Sequence, residues 1–224
     1  KFLISAGYDM ANQEHYVRHT TENRLKLIEE SLKFIYSQED AARAYEKILA
    51  LIFKYKQRVE SVPYYLSQKD IILITYGDQV FHHGETALAT LRRFLNEYVQ
   101  DAINTVHILP FYPYSSDDGF SIANYKGVCP LKGSWKDIEE IKKHYRIMFD
   151  CVVNHVSQLN RWFTSYLADI PEFENFFIDA DPSTDLSKVV RPRTSPLLTE
   201  FIDDEGKIRN IWTTFGNDQV DLNY

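Results

Sequence analysis

The sequence predicts an α/β fold of the (β/α)8 barrel type, and three observations point there. Apolar strand-like runs alternate with amphipathic helices after Asp70. No glycine-rich phosphate-binding turn follows the first run. Acids, a histidine and aromatics crowd the carboxyl ends of three successive runs.

Taken in order, residues 1–69 read as a helical extension. Leu25, Ile28, Leu32 and Ile35 recur at helical spacing after Thr21, which predicts an amphipathic helix ending near Tyr36. Ser37 with Asp40 three residues on resembles a capping box, and Tyr45, Ile48, Leu49, Ile52 and Tyr55 then share one face of a second helix. The two make a hairpin that carries no evident chemistry.

Residues 70–155 are expected to be the first part of the barrel. Ile71-Ile-Leu-Ile-Thr-Tyr76 is a continuous apolar run, the pattern of a strand buried on both faces. A helix follows with Leu88, Leu91, Leu95 and Tyr98 on one side. Thr105-Val-His-Ile-Leu109 is the second strand, stopped by Pro110 and Pro113. Ser134 and Asp137 open a short helix through Ile138 and Ile141, and a third strand is expected from Arg146 to Asn154. An open doubly wound sheet would call for a Gly-rich turn after the first strand, whereas this link is Gly77-Asp-Gln-Val-Phe-His-His-Gly84. The barrel predicts polar groups where the strands end: Tyr76 and Asp78 at the first, Asp117 and Phe120 at the second, Asp150, Asn154 and His155 at the third.

Residues 156–218 lose the periodicity and read as a small β-containing insertion over the barrel mouth, with Asp203-Asp-Glu-Gly206 as a hairpin turn and 219–224 returning to the barrel. Arg191-Pro-Arg193 suits either a phosphate or carboxylate clamp or a surface salt bridge.

Composition narrows the function classes. The 224 residues carry 44% hydrophobic content and a net charge of -7, with residues 1–69 at +2 and the remainder at -9. An acidic body lacks the basic footprint of nucleic-acid binding. No apolar run reaches a membrane span, and the amino terminus lacks a signal-peptide layout. Two cysteines, Cys129 and Cys151, make no disulfide framework or metal spacing, so the expectation is a cytoplasmic protein with no metal and no cofactor.

Five segments carry a more specific signal. Ile74-Thr-Tyr-Gly-Asp78, Leu109-Pro-Phe-Tyr-Pro113, Asp117-Asp-Gly-Phe120, Asp150-Cys-Val-Val-Asn-His155 and Gln219-Val-Asp-Leu-Asn223 together resemble the ordered signature of glycoside hydrolase family 13, the α-amylase superfamily. Ser115-Ser-Asp-Asp-Gly-Phe-Ser121, the segment from Val189 to Thr199 and Trp212-Thr-Thr-Phe215 are most similar to its sucrose phosphorylase-like branch, of the glucosylglycerate phosphorylase type. Asn124 and Gly133-Ser-Trp135 depart from the commoner Asp or His and Gly-Asp-Trp.

The resemblance implies a retaining enzyme that moves an α-glucosyl group from a glucoside to inorganic phosphate, releasing α-glucose 1-phosphate. The donor would be glucosylglycerate, sucrose or a phosphorylated sucrose. In that pattern Asp117 accepts hydroxyls of the glucosyl group, Phe120 lies beneath it, His155 hydrogen-bonds it and Arg193 stands near the acceptor. Tyr76, Asp78, Asp150, Asn154 and Gln219 support the site. The family's nucleophile, in an Arg-x-Asp motif, and its acid/base Glu are not found in the sequence, so the chain is expected to be an inactive N-terminal fragment holding about three of eight strands. A non-catalytic carbohydrate-binding or scaffold protein, or an α-glucosidase-type hydrolase, is the alternative.

Overall fold

The computed structural model describes residues 21–58, 67–191 and 193–223, and the chain divides into two compact units, 1–65 and 66–224. The first unit contains α1 (Thr21–Ile35) and α2 (Gln38–Tyr55) as a hairpin. Ser37 caps α2: its Oγ accepts from the Asp40 amide at 3.2 Å and donates to the Asp40 carboxylate at 2.6 Å. Leu32 and Ala41 are buried.

The second unit is built on a parallel sheet of β1 (Ile72–Thr75), β2 (Thr105–Ile108) and β3 (Arg146–Phe149) in that order. The crossovers carry α3 (Ala87–Phe94) and α4 (Trp135–Lys142). Leu88, Leu91, Ile138 and Ile141 of the helices close over Val106 and Ile108, with Leu73, Ile147 and Phe149 beside them. Ser134 and Asp137 form the expected capping box at the start of α4.

Three expectations for these elements need correction. The first strand is not buried on both faces: Ile72 and Ile74 are 48% and 60% exposed. Side chains alternate across a strand, α3 and α4 cover one face, and no described element of this unit covers the face shared by Ile72, Ile74, His107 and Met148. Tyr98 does not join Leu95 in the core. The helix widens to a π-turn over Leu95–Val99, and the extra residue per turn rotates Tyr98 outward, where it stacks on Phe94 at 5.7 Å. The Leu95 carbonyl in that turn also accepts the buried Tyr145 hydroxyl at 2.8 Å.

The third strand ends at Phe149, five residues short of Asn154. Beyond it the backbone leaves the sheet, and the Tyr125 hydroxyl takes the carbonyls of Val152 (2.6 Å) and His155 (3.3 Å). His155 therefore stands on a different strand. It begins β4 (His155–Ser157), which pairs antiparallel with β7 (Gln219–Asp221), His155 opposite Asp221.

Between β4 and β7 lie α5 (Arg161–Leu167) and the antiparallel hairpin of β5 (Leu198–Ile202) and β6 (Ile208–Trp212), turned at Asp203–Gly206. The sequence pattern missed α5. It is seven residues long and aromatic-rich, and the Asn160 side chain caps it by accepting from the Trp162 amide at 2.9 Å. Val156, Phe163, Tyr166, Phe173, Phe177, Ile211 and Val220 form a second core.

One polar network locks the hairpin. The buried Asp203 carboxylate accepts from the amides of Glu205 (3.1 Å) and Lys207 (2.8 Å) and from Arg209 Nε (2.9 Å). Arg209 also reaches Asp169 at 2.7 Å and lies over the Tyr166 ring. Burial would raise the Asp203 pKa, but the Arg209 hydrogen bond and the two amides hold it below the usual carboxylate range. A depressed carboxylate contributes stability above its ordinary pKa and loses it as pH falls through the folded value. Arg209→Gln is expected to lower the melting temperature by several degrees, far more than Lys207→Ala on the exposed turn, because it strands a buried carboxylate. Equal melting temperatures for the two variants would contradict this.

Candidate functional site

The loop after β2 is shaped by three consecutive residues in the left-handed region: Asp117 (φ 55), Asp118 (φ 50) and Gly119 (φ 114). Aspartate tolerates that region better than most side chains, and position 119 admits only glycine, since a Cβ there would overlap the Pro110 carbonyl oxygen. Phe120 then closes the turn, its amide donating to the Asp117 carbonyl at 2.9 Å.

That loop forms one side of a cavity of about 480 Å³ at the carboxyl ends of the strands. Asp117, Phe120, His155 and Arg193 line it, as do Tyr76, Asp150, Asn154 and Gln219. The structure thus brings together eight of the nine residues singled out from the sequence. Asp78 lies apart, in an adjoining cavity of about 260 Å³, with the buried Lys132 ammonium 3.5 Å from its carboxylate. Tyr76 and Asp118 line both cavities.

Hydrogen bonds tie the lining residues to one another. The Gln219 amide nitrogen donates to Asp117 Oδ2 at 2.8 Å and sits 3.1 Å from His155 Nε2. Asn154 Nδ2 is 2.8 Å from His155 Nδ1, and His155 Nε2 is 3.1 Å from the Phe120 carbonyl. With Asn154 donating to Nδ1, the neutral ring carries its proton on Nε2 and donates to that carbonyl. Burial lowers the His155 pKa, and the Phe120 carbonyl, Asp221 and Asp117 only partly oppose it. Neutral imidazole is therefore favoured at neutral pH. Asp150 is held 2.9 Å from His107 Nε2, on the uncovered face of the sheet.

Asp118, Cys151, Val152 and Phe215 also line the cavity. The Phe215 ring stands 5.1 Å from the His155 ring, tilted by 52°. Its sequence signal is the motif Trp212-Thr-Thr-Phe215, which by itself assigns no role to the ring. Of the Arg191-Pro-Arg193 pair, Arg191 Nη1 donates to the Thr214 carbonyl at 3.1 Å, and Arg193 makes no ion pair among the described residues. Among the described residues, no group of three His, Cys, Asp or Glu is placed to hold a metal ion. No described helix is long and apolar enough to cross a membrane.

A carboxylate, a ring face, an imidazole and amides around one open cavity are the groups that hold a polyhydroxylated ligand. A family model described as alpha amylase, catalytic domain, matches residues 96–224. The chain belongs to the alpha-amylase catalytic-domain family, and its three parallel strands correspond to the N-terminal part of that family's (β/α)8 barrel.

Among individual proteins, the chain is 46% identical over 204 residues to a glucosylglycerate phosphorylase of Spirochaeta thermophila, covering 87% of this chain and 34% of that protein. It is 47% identical over 157 residues to a glucosylglycerate phosphorylase of Escherichia coli, covering 70% and 28%. The crystal structure of sucrose 6F-phosphate phosphorylase from Thermoanaerobacter thermosaccharolyticum superposes with a TM-score of 0.63 at 32% identity, over 70% of this chain and 34% of that one. The chain thus spans about a third of the length of the relatives it matches.

Proposed function

We propose that the protein is a glycoside phosphorylase that transfers an α-glucosyl group from a glucoside to inorganic phosphate, giving α-glucose 1-phosphate with retention. The observation that carries this reading is the cavity itself: Asp117, Phe120 and His155 converge on it, with Arg193 also on its wall. Similarity to a glucosylglycerate phosphorylase over 87% of the chain supports it.

In this reading the Asp117 carboxylate accepts sugar hydroxyls, the Phe120 ring covers the apolar face of the pyranose, and His155 Nε2 exchanges its Phe120 carbonyl contact for a sugar hydroxyl. Gln219 and Asn154 hold the acid and the imidazole in direction. Arg193, free of carboxylate partners among the described residues, offers the acceptor phosphate a bidentate fork. All of these are binding roles; the nucleophile and the acid/base of a double displacement are not among them. The donor is glucosylglycerate, sucrose or a phosphorylated sucrose.

The test is phosphorolysis by the full-length protein across those three donors. Glucose 1-phosphate is expected to form only when phosphate is present. Release of free glucose without phosphate would place the protein with the hydrolases. Sugar binding with no turnover would make it a carbohydrate-binding or scaffold protein.

A further inference from the structure

The left-handed run from Asp117 to Gly119 is a costly backbone, and something must hold it in place. Its flanks are three serines. Ser115 Oγ and Ser121 Oγ donate to Asp218 Oδ2 at 2.5 Å and 2.7 Å, and Ser116 Oγ donates to the same oxygen. The Ser115 amide also donates to the Ser121 carbonyl at 3.0 Å, closing the loop at its base. Ser121 and its neighbour Ser157 are fully buried, and Ser157 Oγ lies 2.5 Å from Ser115 Oγ. Burial would raise the Asp218 pKa, but the hydroxyls of Ser115, Ser116 and Ser121 outweigh it and hold the carboxyl below its usual range.

Gln219, the next residue, begins β7 and donates to the Asp117 carboxylate. Two consecutive residues on one strand start therefore reach the same loop: Asp218 grips its backbone frame from both ends, and Gln219 aims its acid. Asp218 itself does not line the cavity.

We infer that Asp218 is a positioning residue for the donor site, acting through its three serine hydrogen bonds to hold Asp117 and Phe120 where a glucosyl group is recognised. This rests on the reading of Asp117 and Phe120 as sugar-binding groups. The physical claim beneath it, that Asp218 holds the loop, stands independently.

Both parts are tested in the full-length protein with Asp218→Ala, Asp218→Asn and, as a milder variant, Ser116→Ala. Asp218→Ala is expected to lower kcat/KM for the glucoside about 10- to 100-fold while leaving the KM for phosphate unchanged. Asp218→Asn should restore part of the loss, since its amide oxygen still accepts hydroxyls. Amide hydrogen exchange at Phe120 and Ser121 should accelerate in Asp218→Ala. Val220→Ala, in the core beside it, should lower the melting temperature without changing the split between the two KM values.

Unchanged exchange at Phe120 and Ser121 would overturn the inference, as would an unchanged donor kcat/KM. Should Asp218→Ala fail to fold, Ser116→Ala carries the same two readouts with smaller effects. A wild-type protein that forms no glucose 1-phosphate from any donor overturns the phosphorylase reading alone, and the exchange measurement still decides what Asp218 does.

Discussion

Asp117→Ala in the full-length protein is expected to lower kcat/KM for the glucosyl donor by about two to four orders of magnitude. A hydrogen bond to a charged group contributes about 1.5–3 kcal/mol, so losing two from sugar hydroxyls costs about 3–6 kcal/mol, at about 1.4 kcal/mol per tenfold. One oxygen of Asp117 already receives Gln219, which fixes the carboxylate before any ligand arrives. Asp117→Asn is the sharper probe. Asparagine tolerates the left-handed backbone as aspartate does, so the melting temperature should hold while donor recognition weakens. A donor kcat/KM within the wild-type range for both variants would remove Asp117 from the site.

Gly119→Ala should behave differently, losing stability and donor recognition together. Its φ of 114° already excludes an ordinary side chain, at about 1–2 kcal/mol for left-handed backbone, and the added Cβ would overlap the Pro110 carbonyl oxygen. Relief requires the loop to move away from the end of β2, carrying Asp117 and Phe120 with it. The expected outcome is a melting temperature several degrees lower and donor kcat/KM reduced at least about tenfold, in line with misplaced binding groups. Gly206→Ala is the control. Its φ is 83°, but nothing lies within 4 Å of the added carbon, so only the backbone cost remains and donor kinetics should stay unchanged. A Gly119 variant no less stable than the Gly206 variant would contradict the argument.

Much of the candidate site was legible because its groups sit next to strong local punctuation. Pro110 and Pro113 mark the end of β2, so the acids that follow could be placed at a strand's carboxyl end before any coordinates. Ser134 and Asp137 announced α4 in the same way. His155 was legible as a residue of the cavity wall, while its strand was not. The run from Ile147 to Val153 is apolar but for Asp150 and looks like one strand, yet the backbone leaves the sheet after Phe149, and the Tyr125 hydroxyl takes the Val152 carbonyl from 27 residues away. Tyr98 failed for a related reason: a 3.6-residue period cannot anticipate a π-turn, which shifts every later side chain.

What the sequence determined by itself was local and periodic: the strand–helix alternation, the caps, the turn at Asp203–Gly206, and the residue types available at each strand end. Tertiary structure alone decided which face of β1 was covered, which strand carries His155, that Asp78 lines a different cavity from Asp117, and that Phe215 lines the same cavity as His155. The reason is the range of the contacts involved. Ser116 and Asp218 are 102 residues apart, as are Gln219 and Asp117, and no pattern within a helix or strand window reports on a hydrogen bond that closes only when the chain returns.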